Sequence, residues 1–364
     1  MRRLGEAELD DLARGAAILG TGGGGNPYIG ALLAKQAIRE RGTVELVRVE
    51  EVPDDALVVP TAMMGAPTVM VEKLPRGDEV LRSFEVLQDY LGRPITHTVS
   101  IEAGGLNSTT PFQVAARLGL PLVDADGMGR AFPEIQMVTP TMYGVSATPM
   151  ALADEKGNTV LLETIDNRWT ERFARSITVD MGCTAMIALY SLSGRDVKQA
   201  MVPGTLGLAE ELGRILREAR AGHANALQTI LDRLRGYHIF GGKVADVERR
   251  TEAGFARGEA RIAGLGADLD RVLTIRFQNE HLVATRDGEV LASVPDLITV
   301  LEAETAEPIT TEELRYGLRV SVIAAPCDPR WRGEAGLALA GPRYFGYEID
   351  YVPVEERLGA AAHV

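Results

Sequence analysis

Through its first 165 residues the chain alternates short apolar runs with helix-period segments, and that rhythm admits few folds. Val44 to Val49, Leu57 to Met63, Thr96 to Ile101 and Leu120 to Asp124 read as strands. Residues 27–41, 78–91 and 112–118, lying between them, read as helices, and a further helix over 6–19 precedes them all. Parallel strands need a crossover of roughly a dozen residues, which a helix supplies. The alternation therefore predicts a mainly parallel α/β sheet. Asn26 fits the N-cap of the 27–41 helix, and Pro27 fits its first position. Residues 148–154 and 159–165, joined by Asp154-Glu155-Lys156-Gly157-Asn158, read as a hairpin closing this unit.

Beyond residue 165 the texture changes. A helical block over 205–234, broken near Gly222, leads into β segments at 237–249, 260–264, 271–276, 281–285, 289–292 and 318–324. At 364 residues, two domains are expected. Residues 1–165 form an N-terminal α/β domain with a glycine-rich loop and acidic strand-end loops. Residues 166–358 form a β-rich α+β domain, and Gly359 to Val364 a disordered tail. A net charge of −13 disfavours nucleic acid and anionic membrane surfaces as partners, because both require basic surface. A small anionic substrate stays open, since a local arginine cluster overrides the global sign. The two cysteines, Cys183 and Cys327, are far apart, which fits reduced thiols in a cytoplasmic protein. Glu6, Glu8, Asp10 and Asp11 argue against a secretory leader, and no apolar run reaches bilayer length.

The chemistry is expected where apolar runs end in polar loops. Leu118 to Val123 runs directly into Asp124 and Asp126. On a continuous strand these two residues point the same way, placed to share a cation or a proton. Glu134 lies close enough in sequence to close the same constellation, and Arg130 adds a further polar group. The competing reading makes both aspartates turn formers. Glu102 and Asn107 flank Gly104-Gly105 at the end of the neighbouring run and are placed to face Asp124.

Gly20, Gly22 and Gly25 match G-x-G-x-x-G, but a dinucleotide site requires a strand before the glycines, and here a helical pattern precedes them. Glu50-Glu51 near the ribose-binding offset keeps a nicotinamide-dependent oxidoreductase as a minor reading. A better fit lets the amides of Gly22, Gly23, Gly24 and Gly25, with Asn26, meet a carboxylate or imide-like anion at the N-terminus of the 27–41 helix. A plain connector is the other reading. His97 reads as a packed strand residue, and the five histidines show no zinc spacing, although carboxylates with one histidine would hold a metal invisibly to motif scanning. Phe277-Gln278-Asn279-Glu280-His281 reads first as a polar strand edge. Arg330, Arg332, Arg343 and Tyr344 are candidates for an anionic substrate or for structural pairs. No nucleophile elbow is present, and Cys327 has no basic neighbour in sequence.

Several long segments in order resemble the S-methyl-thiohydantoin desulfurase domain family, formerly a domain of unknown function. They are Leu19 to Tyr28, Met63 to Val69, Glu102 to Ser108, Asp124 to Glu134, Gly242 to Val244, Phe277 to Glu280 and Gly341 to Tyr347. The resemblance spans nearly the whole chain. It implies hydrolysis of cyclic imide-like rings, as in a metal-dependent thiohydantoin-propionate desulfhydrase, and association with hydantoinase or oxoprolinase subunits. It also implies the two-domain division drawn above. One departure is His281, where many relatives are expected to carry Asn.

The leading expectation is a metal-dependent hydrolase that removes sulfide or methanethiol from a thiohydantoin or S-methyl-thiohydantoin ring. A divalent metal, zinc, would be held by Asp124, Asp126 and Glu102, with Asp124, Asp126 and Glu134 catalytic. Asn107 and Asn279 would orient the ring, and Gly22 to Gly25 would meet its negative charge. The alternative is a non-catalytic or ligand-sensing partner subunit of a hydantoinase- or oxoprolinase-type enzyme. A homo-oligomer is expected in either case.

Overall fold

The computed structural model describes residues 2–65, 69, 73, 76–222, 225–252 and 254–359. The expected tail therefore lies outside the described residues beyond Gly359, which itself ends a short helix. The first sheet uses β1 (Arg2–Leu4), β2 (Val44–Val47), β3 (Leu57–Gly65), β4 (His97–Ser100) and β5 (Leu122–Val123). After a short strand β6 (Ala125–Asp126), which lies outside it, the sheet resumes with β7 (Met150–Ala153), β8 (Thr159–Leu162), β9 (Thr184–Ala188) and β10 (Leu192–Ser193). The path runs β1-β2-β5-β4-β3-β9-β7-β8, with β10 also pairing β3. Its four-strand middle, β2 to β3, is parallel, and both flanks are antiparallel.

The expected helices all form: α1 (Glu6–Leu19) and α2 (Pro27–Arg41) link β1 to its antiparallel neighbour β2, while α3 (Glu79–Leu91) and α4 (Thr110–Leu118) are the crossovers from β3 to β4 and from β4 to β5. Asn26 caps α2 by accepting from the Tyr28 N–H at 2.9 Å. Alternation along β3 serves two cores. Leu57, Val59 and Met63 pack with Phe84 and Leu87 of α3, while Val58, Ala62 and Met64 join the larger cluster that α1 also enters.

The segment after residue 165 first returns to the first sheet. A helix over Asn167–Asp180 leads into β9, the neighbour of β3, and the helix Thr205–Gly222 packs along α1. The sequence reading assigned no strand at β9, whose short Thr-Ala-Met-Ile-Ala run resembles a helix interior as much as a strand. The antiparallel seven-stranded sheet begins only at Tyr237. With β11 (Val202–Pro203) pairing β6, it comprises β12 (Tyr237–Glu252), β13 (Phe255–Gly264), β14 (Val272–Gln278), β15 (Glu280–Arg286), β16 (Glu289–Ser293), β17 (Leu297–Glu302) and β18 (Arg319–Ala325). Their order is β16-β15-β14-β13-β12-β18-β17, curving into a half-barrel around Phe240, Ile262, Ile275 and Val322. Among the described residues no helix is long and apolar enough to cross a membrane.

Candidate active site

The glycine-rich stretch is a junction between the two sheets. The His281 N–H donates to Thr21 O at 2.8 Å and the Thr311 N–H to Gly22 O at 2.7 Å, both from the second sheet's side. From the first side, the Leu106 N–H donates to Gly24 O at 2.8 Å. Such interleaving forces bare backbone: a Cβ at Gly23 would lie 1.9 Å from Glu280 Oε1, and one at Gly24 2.7 Å from the Gly104 carbonyl carbon. The loop therefore fixes Glu280 against the end of β4.

Beside this junction opens a cleft. Met63 and Met64 of β3, Ile101, Met128, Phe132 and Ile187 make its walls apolar, and Glu102, Asn107, Asn279 and Glu280 supply its polar atoms. Half-buried Glu134 and Arg175 also line it. Glu102 reaches it from the end of β4 in the first sheet and Glu280 from the start of β15 in the second. Both are buried, and each has one carboxyl oxygen, Oε2, with no hydrogen-bond partner. Burial pushes the Glu102 carboxyl up to about 8, with the Asn107 hydrogen bond pulling down and the Asp126 charge pushing up. Burial also holds Glu280 well above its ordinary value, and the charge of Glu102 adds to the rise. Two acids placed in this way resist carrying two negative charges at once.

Arg130 backs the pair. It is fully buried, donates to the carbonyls of Ala131, Pro295 and Asp296 and to Thr21 Oγ1, and stacks 4.6 Å from the Phe132 ring centroid. Burial lowers its pKa to about 10, so the guanidinium stays charged at neutral pH and favours the ionised form of both glutamates. His281 is also buried. Its Nδ1 lies 2.9 Å from Ile298 O, and burial drops its pKa to about 4, leaving a neutral ring that packs against the glycine loop rather than a titrating base.

The expected acidic loop is put to other uses. The chain leaves the first sheet at Asp124, between β5 and β6, so the continuous-strand geometry that would aim Asp124 and Asp126 together is absent. Asp124 accepts from the N–H groups of Leu206 and Gly207, each at 3.0 Å, at the start of the Thr205–Gly222 helix. Asp126 is fully buried and accepts from Ala103, Met128 and Gly129 N–H groups at 2.7 to 3.0 Å, while burial pushes its acid up to about 7. Each aspartate thus tethers backbone, Asp124 at the helix start and Asp126 across the Ala103 and Met128 to Gly129 turns. Asp124→Ala is expected to lower stability by about 1 kcal/mol through the lost helix cap, read by denaturant unfolding. An unchanged midpoint would refute the capping role.

The other candidates divide. Glu134 lies on the cleft wall and accepts from Tyr344 Oη at 2.6 Å and from Gln136 Nε2. Asn279 adopts a left-handed conformation, φ 59°, at the sharp reversal from β14 to β15, and its Oδ1 accepts from the Ala256 N–H. Of the glycine loop, Gly24 reaches the cleft, whereas Gly22, Gly23 and Gly25 lie in the junction and Asn26 caps α2. Arg330, Arg332 and Arg343 are tied to carbonyl or carboxylate partners away from the cleft lining. The reading of the sequence left Glu280 as a strand edge and did not single out Arg175. The signal for Glu280 was the polar run Gln278 to His281 directly after an apolar strand.

Zinc with three protein ligands does not fit these donors. Asp126 accepts from three backbone N–H groups, Asp124 caps a helix, and among the described residues no group of three His, Cys, Asp or Glu is placed to hold a metal ion. Among the described residues lining the cleft, Glu102 and Glu280 each keep a buried carboxyl oxygen without a hydrogen-bond partner.

The S-Me-THD-like N-terminal domain matches residues 7–164, and the S-Me-THD-like C-terminal domain matches residues 165–354. The chain belongs to the S-Me-THD-like family. No curated protein matches this S-Me-THD-like chain. A crystal structure of a protein from Chromobacterium violaceum is similar, with a TM-score of 0.81 and 29% identity over 97% of this chain and 100% of the other. The family match spans the glycine junction and both glutamates.

Proposed function

We propose that this S-Me-THD-like protein is a hydrolase that removes sulfur, as methanethiol or sulfide, from a thiohydantoin-type ring. The observation that carries the reading is the pair Glu102 and Glu280, two buried acids, each with an unpartnered carboxyl oxygen, that line one apolar cleft from the two sheets. One ionised carboxylate of the pair takes a proton from water, and the hydroxide adds to the ring carbon that bears sulfur. The partner acid protonates the atom that receives the electron pair, the ring nitrogen of an S-methyl ring or the sulfur of a thione ring. Collapse of the adduct breaks the C–S bond, and the hydroxyl proton leaves on the thiol. The water oxygen thus becomes the ring carbonyl; one water proton stays on the carboxylate that acted as base, the other leaves on sulfur, and a proton exchange within the pair restores the acid that gave up its own. Environment-separated carboxyls are the general means of running acid and base steps in one site. The methionine-lined walls suit a thioether or thiocarbonyl group, since polarisable sulfur packs well against sulfur and aromatic edges.

The test is thiol release from hydantoin, thiohydantoin and S-methyl-thiohydantoin, with and without a chelator. Release from the sulfur-bearing rings, unaffected by chelation, is the expected result. Loss of turnover on chelation that zinc restores would place a cation between the two glutamates and overturn the two-acid mechanism. No release from any ring by folded protein would overturn the hydrolase reading in favour of a ligand-binding subunit.

A further inference from the structure

We infer that Asn107, rather than contacting the ring, is a positioning residue that presents Glu102 to the cleft; this deepens the hydrolase reading above and rests on it. Asn107 sits in the short turn that follows β4, and every donor of its amide is engaged. Its Oδ1 accepts from the Met63 N–H at 2.7 Å, and its Nδ2 donates to Met63 O at 3.1 Å and to Glu102 Oε1 at 2.5 Å. An amide has two N–H donors, so none is left to orient a ring. Both backbone groups of Met63, in the middle of the buried strand β3, hold the amide in one plane. A second tie locks the same turn: Ser100 Oγ lies 2.7 Å from Glu102 O and 3.0 Å from Asn107 O, donating toward these carbonyls. The amide thereby occupies one carboxyl oxygen of Glu102, a residue of the cleft lining, and leaves Oε2 without a hydrogen-bond partner. Side chains whose own rotamers are locked in this way place a reacting group more tightly than a free glutamate would allow.

Asn107→Asp keeps the acceptor for the Met63 N–H but deletes the donor to Glu102 and sets a second carboxyl beside it. We expect kcat to fall about 10- to 100-fold, the scale of a small misplacement of a reacting group, with KM nearly unchanged. The limb of the pH profile that belongs to Glu102 should move to higher pH, because a neighbouring negative charge disfavours its ionisation. In a Glu102→Gln background, Asn107→Asp should cost nothing further in kcat. A rise in KM alone, or an equal loss in the Glu102→Gln background, would overturn the inference and return Asn107 to a substrate contact. If Asn107→Asp does not fold, Ser100→Ala is the second variant, with a lower kcat at constant KM expected and a raised KM at constant kcat refuting. If the wild type releases no thiol, the infrared carboxyl band that Glu102→Gln removes is read instead. A raised stretching frequency of that band in Asn107→Asp, from loss of the amide's hydrogen bond to Oε1, supports positioning, and an unmoved band overturns it while leaving the failure of the hydrolase reading separate.

Discussion

Replacing Glu280 by Gln is expected to lower kcat by about 10²- to 10⁴-fold, the usual reach of a positioned acid or base, while the protein becomes more stable at alkaline pH. Both effects come from one fact. Glu280 is a buried acid facing a second buried acid, Glu102, with neither free oxygen compensated by a hydrogen bond. A folded-state pKa above the unfolded value means that the native protein holds a proton the unfolded chain has already lost. Stability therefore falls as pH rises, here between the ordinary 4.5 and about 8 for Glu102. Gln carries no such linkage, so the stability advantage of Glu280→Gln should widen as pH rises. Thermal unfolding across pH, measured beside steady-state turnover on the ring that releases thiol, checks both at once. Unchanged kcat would remove Glu280 from the chemistry, and an advantage that narrows with pH would mean that its carboxyl is ionised in the folded protein.

That the second acid was hard to read in the sequence has a physical reason. Glu102 and Asn107 stand out because they flank the glycines where an apolar run ends, and Glu134 because it closes the loop after Asp124 and Asp126; the structure brings all three to the cleft wall. Glu280 follows an apolar strand too, but on a continuous strand it would alternate away from Asn279 and His281. The left-handed turn at Asn279 reverses the chain within one residue, pairs Gln278 with Glu280 and aims Glu280 at the glycine junction. Asp124 and Asp126 show the reverse case. Their spacing suggests a shared face, yet the strand breaks between them and their partners come from distant segments. The Leu206 and Gly207 donors to Asp124 lie 82 and 83 residues away, and the Ala103 donor to Asp126 lies 23 away. Local elements were more legible, because caps and periodicity are local: the Asn26 cap, the Asp154 to Asn158 turn and the helix break near Gly222 all appear where spacing puts them. The return of β9 to the first sheet is a long-range pairing that periodicity does not report.

Gly23→Ala should act on Glu280 through a single methyl group. The backbone at Gly23 is not left-handed, so an alanine fits it without strain, unlike Gly24 at φ 78°. The obstruction is the glutamate itself: the new Cβ would lie 1.9 Å from Oε1, 2.4 Å from Cδ and 2.6 Å from Cγ. Because Glu280 is buried, its side chain has no solvent to swing into, and the clash is relieved only by displacing it within the cleft. We expect kcat to fall by at least about 10²-fold, since a misplaced group loses its orientation advantage. Overpacking should cost roughly 1–3 kcal/mol of stability. The decisive comparison is with Glu280→Ala. In that background the offending atoms beyond Cβ are gone, so Gly23→Ala should lose its stability cost, while activity stays at the level of Glu280→Ala alone. An additive stability loss in the double variant would mean that the methyl group strains the loop's own backbone, and the junction would then hold Glu280 by some contact other than the bare face of Gly23.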